Sequence, residues 1–103
     1  VTGEDDDAEV PKVFELFPNR PNPFNPATTI LYVLYNAGSV RLVVHDTLGR
    51  WVRLLEDGYR QTGTYEIVWD GCDESGNPAA SGVYICRMEA GGMVGAMGMT
   101  LVR

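Results

Sequence analysis

Histidine and cysteine are scarce in this chain, and their scarcity removes most site chemistry at the outset. His45 is the only histidine, and Cys72 and Cys86 are the only cysteines among 103 residues. No Cys-x-x-Cys pair or His–Cys cluster exists, so a tetrahedral zinc site has no ligand set. His45 is followed directly by Asp46. On a strand, adjacent side chains point to opposite faces, so these two cannot form a base and its orienting carboxylate. A Gly-x-Ser-x-Gly elbow and a phosphate-cradling loop are also missing. The chain reads as non-catalytic, and nothing in it calls for a cofactor.

Long apolar runs and surplus positive charge are lacking too. No stretch approaches the roughly 18 apolar residues that a spanning helix needs, so membrane insertion is not expected. Eight Lys and Arg face fourteen Asp and Glu, a formal net charge of -6. The arginines are scattered and form no basic stripe, so nucleic acid is not an expected partner. The negative charge is uneven. Glu4, Asp5, Asp6, Asp7 and Glu9 supply five of the fourteen acids, leaving nine against eight bases in the rest. An acidic run with few apolar residues cannot offset the entropy of ordering it, so residues 1–12 read as a flexible leader. This start is unlike a signal peptide, which opens on a basic segment and an apolar stretch. The expectation is a processed chain or a piece of a longer precursor.

What remains is strand material. The length suits one domain, residues 13–103, able to bury roughly two-thirds of its unfolded surface. From Thr28 onward, apolar and polar residues alternate in short runs broken by Gly, Asn, Asp and Pro. Thr28–Tyr35 places Ile30, Tyr32 and Leu34 on one face; Ser39–His45 does the same with Val40, Leu42 and Val44. Asp46-Thr47-Leu48-Gly49 fits a type I turn. Trp51–Leu55 follows and is expected to stop at Glu56-Asp57-Gly58. Gly63–Trp69 aligns Tyr65, Ile67 and Trp69, then Asp70–Ser81 reads as a loop. Gly82–Met88 aligns Tyr84, Cys86 and Met88, and Ala90-Gly91-Gly92 turns into a last strand near Met93–Val102. No helical period appears. Short strands spaced about ten residues apart mark an all-β, immunoglobulin-like antiparallel β-sandwich of about seven strands.

Residues 13–27 precede these strands as a Pro/Asn-rich lead-in. Residues before proline favour extended backbone, and Asn19, Asn22 and Asn25 can bond the chain two residues on. We expect a structured lead-in strand, with Phe17 and Phe24 as apolar pegs on the end of the sandwich. Gly82-Val83-Tyr84-Ile85-Cys86 has the order of the sixth immunoglobulin strand, where a tyrosine hydroxyl bonds back to the preceding loop. The usual cysteine partner on an early strand is absent. A Cys72–Cys86 bridge would stabilise by about 3 kcal/mol in the chain-entropy model. The preferred reading is the simpler one, a small buried apolar Cys86 and an exposed loop Cys72. Asp70, Asp73 and Asn77 supply oxygens of the kind calcium takes, yet their spacing is not that of an EF-hand, and the same residues build ordinary turns. Tyr32, Tyr35, Trp51, Tyr59 and Tyr65 could form an aromatic platform for sugars, or simply core and cross-strand pairs.

Several blocks occur in a telling order: Leu16-Phe17-Pro18-Asn19, Asn22-Pro23-Phe24-Asn25-Pro26-Ala27-Thr28-Thr29-Ile30, Asp46-Thr47-Leu48-Gly49-Arg50, Trp69-Asp70-Gly71 and Ala80-Ser81-Gly82-Val83-Tyr84. Over residues 14–103 the chain resembles the C-terminal sorting domain of type IX secretion, which is similar to the immunoglobulin-like domain of the flagellar hook-capping protein. The resemblance implies a domain at the C-terminus of secreted bacterial proteins, read by an outer-membrane translocon and often exchanged for a surface anchor. It implies an extracellular or cell-surface location. Gly98 stands where such domains often carry a basic residue, and the expectation is either that a cargo was removed or that this module is itself the product.

The first expectation is therefore a sorting and surface-attachment domain whose partner is the secretion machinery. Its partner-binding residues would be Asn22, Pro23, Phe24, Asn25 and Pro26 in the lead-in, with Met99, Thr100, Leu101, Val102 and Arg103 in the terminal strand. A second expectation is a self-assembling extracellular filament subunit, a homo-oligomer whose lead-in adds a strand to a neighbouring copy. A third is a carbohydrate-binding sandwich module.

Overall fold

A computed structural model describes residues 12–103. Seven strands form: β1 (Phe14–Leu16), β2 (Thr28–Leu34), β3 (Gly38–Asp46), β4 (Trp51–Arg60), β5 (Gly63–Trp69), β6 (Gly82–Ala90) and β7 (Met93–Leu101). One sheet has the order β1-β2-β5 and the other β4-β3-β6-β7, with every neighbouring pair antiparallel. Among the described residues there is no helix, and so none long and apolar enough to cross a membrane. Of the acidic leader, residues 1–11 lie outside the described residues; Lys12 sits 3.4 Å from Glu15.

Alternation builds the core. In β2 each even-numbered residue from Thr28 to Leu34 is buried and each odd one half-buried. Ile30, Tyr32 and Leu34 thus meet Val40, Leu42 and Val44 from β3, Cys86 and Met88 from β6, and Met99 and Leu101 from β7. The expected turns close as their chemistry requires. Gly49 N–H donates to the Asp46 carbonyl at 2.9 Å with Gly49 at φ +82°, and the Asp46 carboxylate accepts from the amides of Leu48 and Arg50. Those donors, the Arg50 amide first, hold the Asp46 carboxyl below its usual range. The paired positive φ values of Gly91 and Gly92 make the two-residue hairpin between β6 and β7.

One strand runs further than its sequence suggests. Glu56-Asp57-Gly58 does not stop β4, which continues to Arg60. The register slips between Leu42 and Val43 and again between Val44 and His45, so the simple two-residue alternation fails along β4. The bulge turns Glu56 inward, where it is 7% exposed. There its carboxylate accepts from the Tyr32 hydroxyl at 2.6 Å and from Arg60 Nε at 2.5 Å. Burial, then the bond to Glu56, raises the Tyr32 pKa well above the ordinary phenol range. A buried charge that spans both sheets is tolerable only because both oxygens are partnered.

The cysteines are unbridged. Cys86 is buried and Cys72 half-buried in the loop after β5, and burial pushes the Cys86 thiol up to about 12.

Candidate functional site

The two residue blocks singled out by the sequence, about 75 positions apart, are hydrogen-bonded to each other. β7 ends at Leu101, and the lead-in crosses beside it in parallel at Phe24. Phe24 N–H donates to the Thr100 carbonyl and Val102 N–H to the Phe24 carbonyl, each at 2.9 Å. The Asn22 carboxamide oxygen accepts from the Thr100 amide at 3.0 Å. The lead-in therefore completes the edge of the four-stranded sheet at this end.

Phe24 is the peg expected from its sequence. Its ring is 1% exposed and lies tilted on Trp69, 5.6 Å between centroids; Trp69 in turn meets the edge of Tyr84 at 5.3 Å. Trp69 Nε1 donates to the Cys72 carbonyl at 2.9 Å, so the indole's polar atom is satisfied at the core boundary. The Tyr84 hydroxyl donates to the Ala80 carbonyl at 2.6 Å, the tyrosine corner anticipated from Gly-x-Tyr-x-Cys. Phe17 is only half-buried.

Arg103 closes the junction. Its Nε donates to the Ala79 carbonyl at 2.6 Å, its Nη2 to the Gly71 carbonyl at 2.5 Å, and its amide to Ser81 Oγ at 2.8 Å. Gly71 sits at φ +79°, and a Cβ there would run into the Pro26 carbonyl. Lead-in, loop and terminal residue are thus locked around one glycine.

The ten expected binding residues divide by burial. Phe24, Met99 and Leu101 belong to the core; Thr100 is half-buried; Asn22, Pro23, Asn25, Pro26, Val102 and Arg103 are exposed. Removing residues 99–103 would therefore delete two core side chains along with any recognition surface. The sequence marked Asn19 as able to bond the chain two residues on, but gave no sign that it would be buried, at 2% exposed, or bonded to Thr28. Its amide donates to Thr28 Oγ1 at 3.0 Å and to the Pro21 carbonyl at 3.3 Å, and Thr28 donates to the same carbonyl at 2.9 Å. Its place in Pro-Asn-Arg-Pro was the signal: an asparagine bonding two residues on sets the bend that brings Phe24 to its hole. The lead-in is accordingly bent between its bridges at Arg20 and Phe24 rather than uniformly extended. Residues 14–16 pair with β2 of the same chain, so strand donation to a neighbour through them would require their release.

The remaining candidates serve the fold. Asp70 Oδ1 accepts from the Cys72 amide and from Arg53, and Asp73 Oδ1 from the amides of Ser75 and Asn77. These carboxylates brace their own turns, and among the described residues no group of three His, Cys, Asp or Glu converges on a metal position. Glu74 accepts from the Leu54 amide and Trp51 Nε1, which together hold its carboxyl below the usual range. Of the aromatics, Tyr32 is buried and stacked on Tyr65, while Tyr35, Trp51 and Tyr59 are exposed on separate strand ends. They do not line up as one platform.

Two facing sheets, a tyrosine corner and an aromatic stack under a plugged edge define an immunoglobulin-like β-sandwich domain. More particularly, residues 25–92 match the FlgD Ig-like domain, more than half of the chain, and the chain belongs to that family. Among solved structures it is similar to dimeric latent PorU from Porphyromonas gingivalis, with 24% identity, a TM-score of 0.68, and coverage of 90% of this chain and 10% of that one. It is also similar to PorZ of the same organism, an essential bacterial surface component of the type-IX secretion system, with 25% identity, a TM-score of 0.55, and coverage of 87% and 11%. FLGD from P. aeruginosa matches at 21% identity with a TM-score of 0.54, covering 86% of this chain and 65% of that one. The likenesses to PorU and FLGD speak to the fold alone. The chain spans about a tenth of the PorU and PorZ chains. No curated protein matches it.

Proposed function

We propose that this chain is a non-catalytic C-terminal sorting and cell-surface attachment domain of a secreted bacterial protein, recognised by type IX secretion machinery. Membership in the FlgD Ig-like family and likeness to a surface component of that system support the reading. The observation that carries it is the junction of the Asn-Pro-Phe-Asn-Pro block with the terminal strand. One exposed surface contains Asn22, Pro23, Val102 and Arg103, held rigid by Phe24, Gly71 and the loop carbonyls. A surface built from both blocks lets a receptor test whether the domain has folded before accepting it.

The test fuses the 103-residue chain to the C-terminus of a reporter in a bacterium with this machinery. The wild-type fusion is expected at the cell surface. Val102→Asp and Asn25→Lys change exposed side chains of the two blocks and leave Met99, Leu101 and Phe24 in place. Both variants should fold, by circular dichroism, and be retained in the periplasm. Export of folded variants at the wild-type level, or retention of the wild-type fusion, contradicts the proposal.

A further inference from the structure

The open edge of β7 points to a second copy of this chain as its partner. Thr100 and Val102 direct their main-chain groups away from β6, to Asn22 and Phe24. The β6–β7 ladder is regular from Met93 to Leu101, so every second residue repeats that orientation. Val94, Ala96 and Gly98 therefore turn their N–H and C=O groups outward along the same edge. None of these groups bonds another main-chain group outside the strand ladders among the described residues.

Between Met93 and Gly98, short of the lead-in's cover at Thr100, this edge carries no charge, proline or bulge of the kind that keeps edges apart. Met93–Thr100 reads Met-Val-Gly-Ala-Met-Gly-Met-Thr, with no charge and no proline. The other edge strands are charged: Glu15 on β1, Glu66 on β5, and Arg53, Glu56, Asp57 and Arg60 on β4. Self-pairing sets an edge against its own copy, so a neutral edge is the one that does not repel itself. Met93 and Val94 are also 47% and 57% exposed, apolar area that a second strand would cover.

We infer that β7 pairs antiparallel with β7 of a second copy about a two-fold axis at Ala96, joining two four-stranded sheets into one. Ala96 then faces its own mate, and Val94 faces Gly98 in both directions, giving about six main-chain bonds. The length is set at both ends. The Gly91-Gly92 hairpin ends the strand on one side, and Phe24 already occupies the edge beyond Thr100 on the other. The pairing closes on itself and builds no filament. Its occupant differs from the secretion partner proposed above, and it stands or falls separately.

The Ala96 side chain is exposed on the outer face, away from the core, so charge can be placed there without disturbing the fold. Sedimentation of the full chain across concentrations is expected to give a dimer for the wild type. Ala96→Lys and Ala96→Glu should each weaken it by about two- to fivefold, since like charges then meet across the axis. An equimolar mixture of the two variants should recover the dimer. A wild-type chain that stays monomeric, either variant dimerising as tightly as wild type (the result if copies exchanged β7 instead), or a mixture that stays monomeric overturns the inference.

Discussion

Phe24→Ala tests whether the lead-in is a plug or an ornament. Phe24 reaches the core from a segment with only one short strand of its own, yet its ring is as buried as Leu34 or Leu101. Truncating a buried phenylalanine costs about 3–5 kcal/mol, the transfer term plus the cavity it leaves. The hole here is floored by Trp69, whose other ring neighbour Tyr84 is tied to Ala80, so little collapse can refill it. Against a total stability of about 5–15 kcal/mol for a domain of this kind, that loss is large. At about 4–8 °C per kcal/mol, the midpoint of thermal unfolding should fall by at least about 12 °C. Phe24→Leu keeps most of the volume and should cost under about 1.5 kcal/mol. Urea unfolding followed by tryptophan fluorescence measures both, since Trp69 lies against the missing ring. Hydrogen exchange at the Val102 amide, whose acceptor is the Phe24 carbonyl, should accelerate in the alanine variant more than at amides of the β3–β6 ladder. A loss below about 1 kcal/mol, or unchanged protection at Val102, would refute the plug.

Three further outcomes follow from the same geometry. Gly71→Ala places a Cβ against the Pro26 carbonyl at a left-handed backbone position; it should cost about 2–4 kcal/mol in urea unfolding and loosen the junction before the core. Glu56→Ala removes the shared acceptor of the buried Tyr32 hydroxyl and of Arg60 Nε, for a loss of about 2–3 kcal/mol, and a double-mutant cycle with Tyr32→Phe should show coupling above about 0.5 kcal/mol. Glu74 and Asp46 have folded-state pKa values below the ordinary carboxylate range. Their contributions are complete above that range and disappear as pH falls through the lowered values, so stability should drop below about pH 4. Glu74→Gln should flatten part of that acid limb, read by stability at successive pH values; an unchanged slope would count against the bond to Leu54.

Much of the fold was legible because alternation is a strong signal where one face is buried. Ile30, Tyr32 and Leu34 pack as their spacing demands, and Asp46 to Gly49 turn as their residue types demand. β4 was misread for a physical reason. Glu-Asp-Gly is turn vocabulary in isolation, but a bulge shifts its register, and Tyr32 and Arg60 give Glu56 the partners that make burial tolerable. Arg60 lies four positions on in the same strand, but Tyr32 lies 24 positions back in the other sheet, and local composition holds no trace of it. The lead-in was half legible. Its prolines and Phe24 signalled a structured peg, whereas its parallel seat beside Leu101 depends on a contact between the two ends of the domain.

That contact has a consequence for assembly. The hole for Phe24 is floored by Trp69, itself packed on Tyr84, and the main-chain partners of Phe24 are Thr100 and Val102. Neither exists until β5, β6 and β7 are in place, so the lead-in cannot seat early even though it precedes them in sequence. Such long-range closure is slow compared with hairpin formation, because loop entropy must be overcome before the contact contributes. β6 and β7, joined by a tight Gly-Gly hairpin, should form first, and the lead-in should dock last across their finished edge. The junction is then the part of the molecule whose presence reports that every other strand has found its place. A receptor reading Asn22, Pro23, Val102 and Arg103 together would bind the folded domain and pass over a chain still folding.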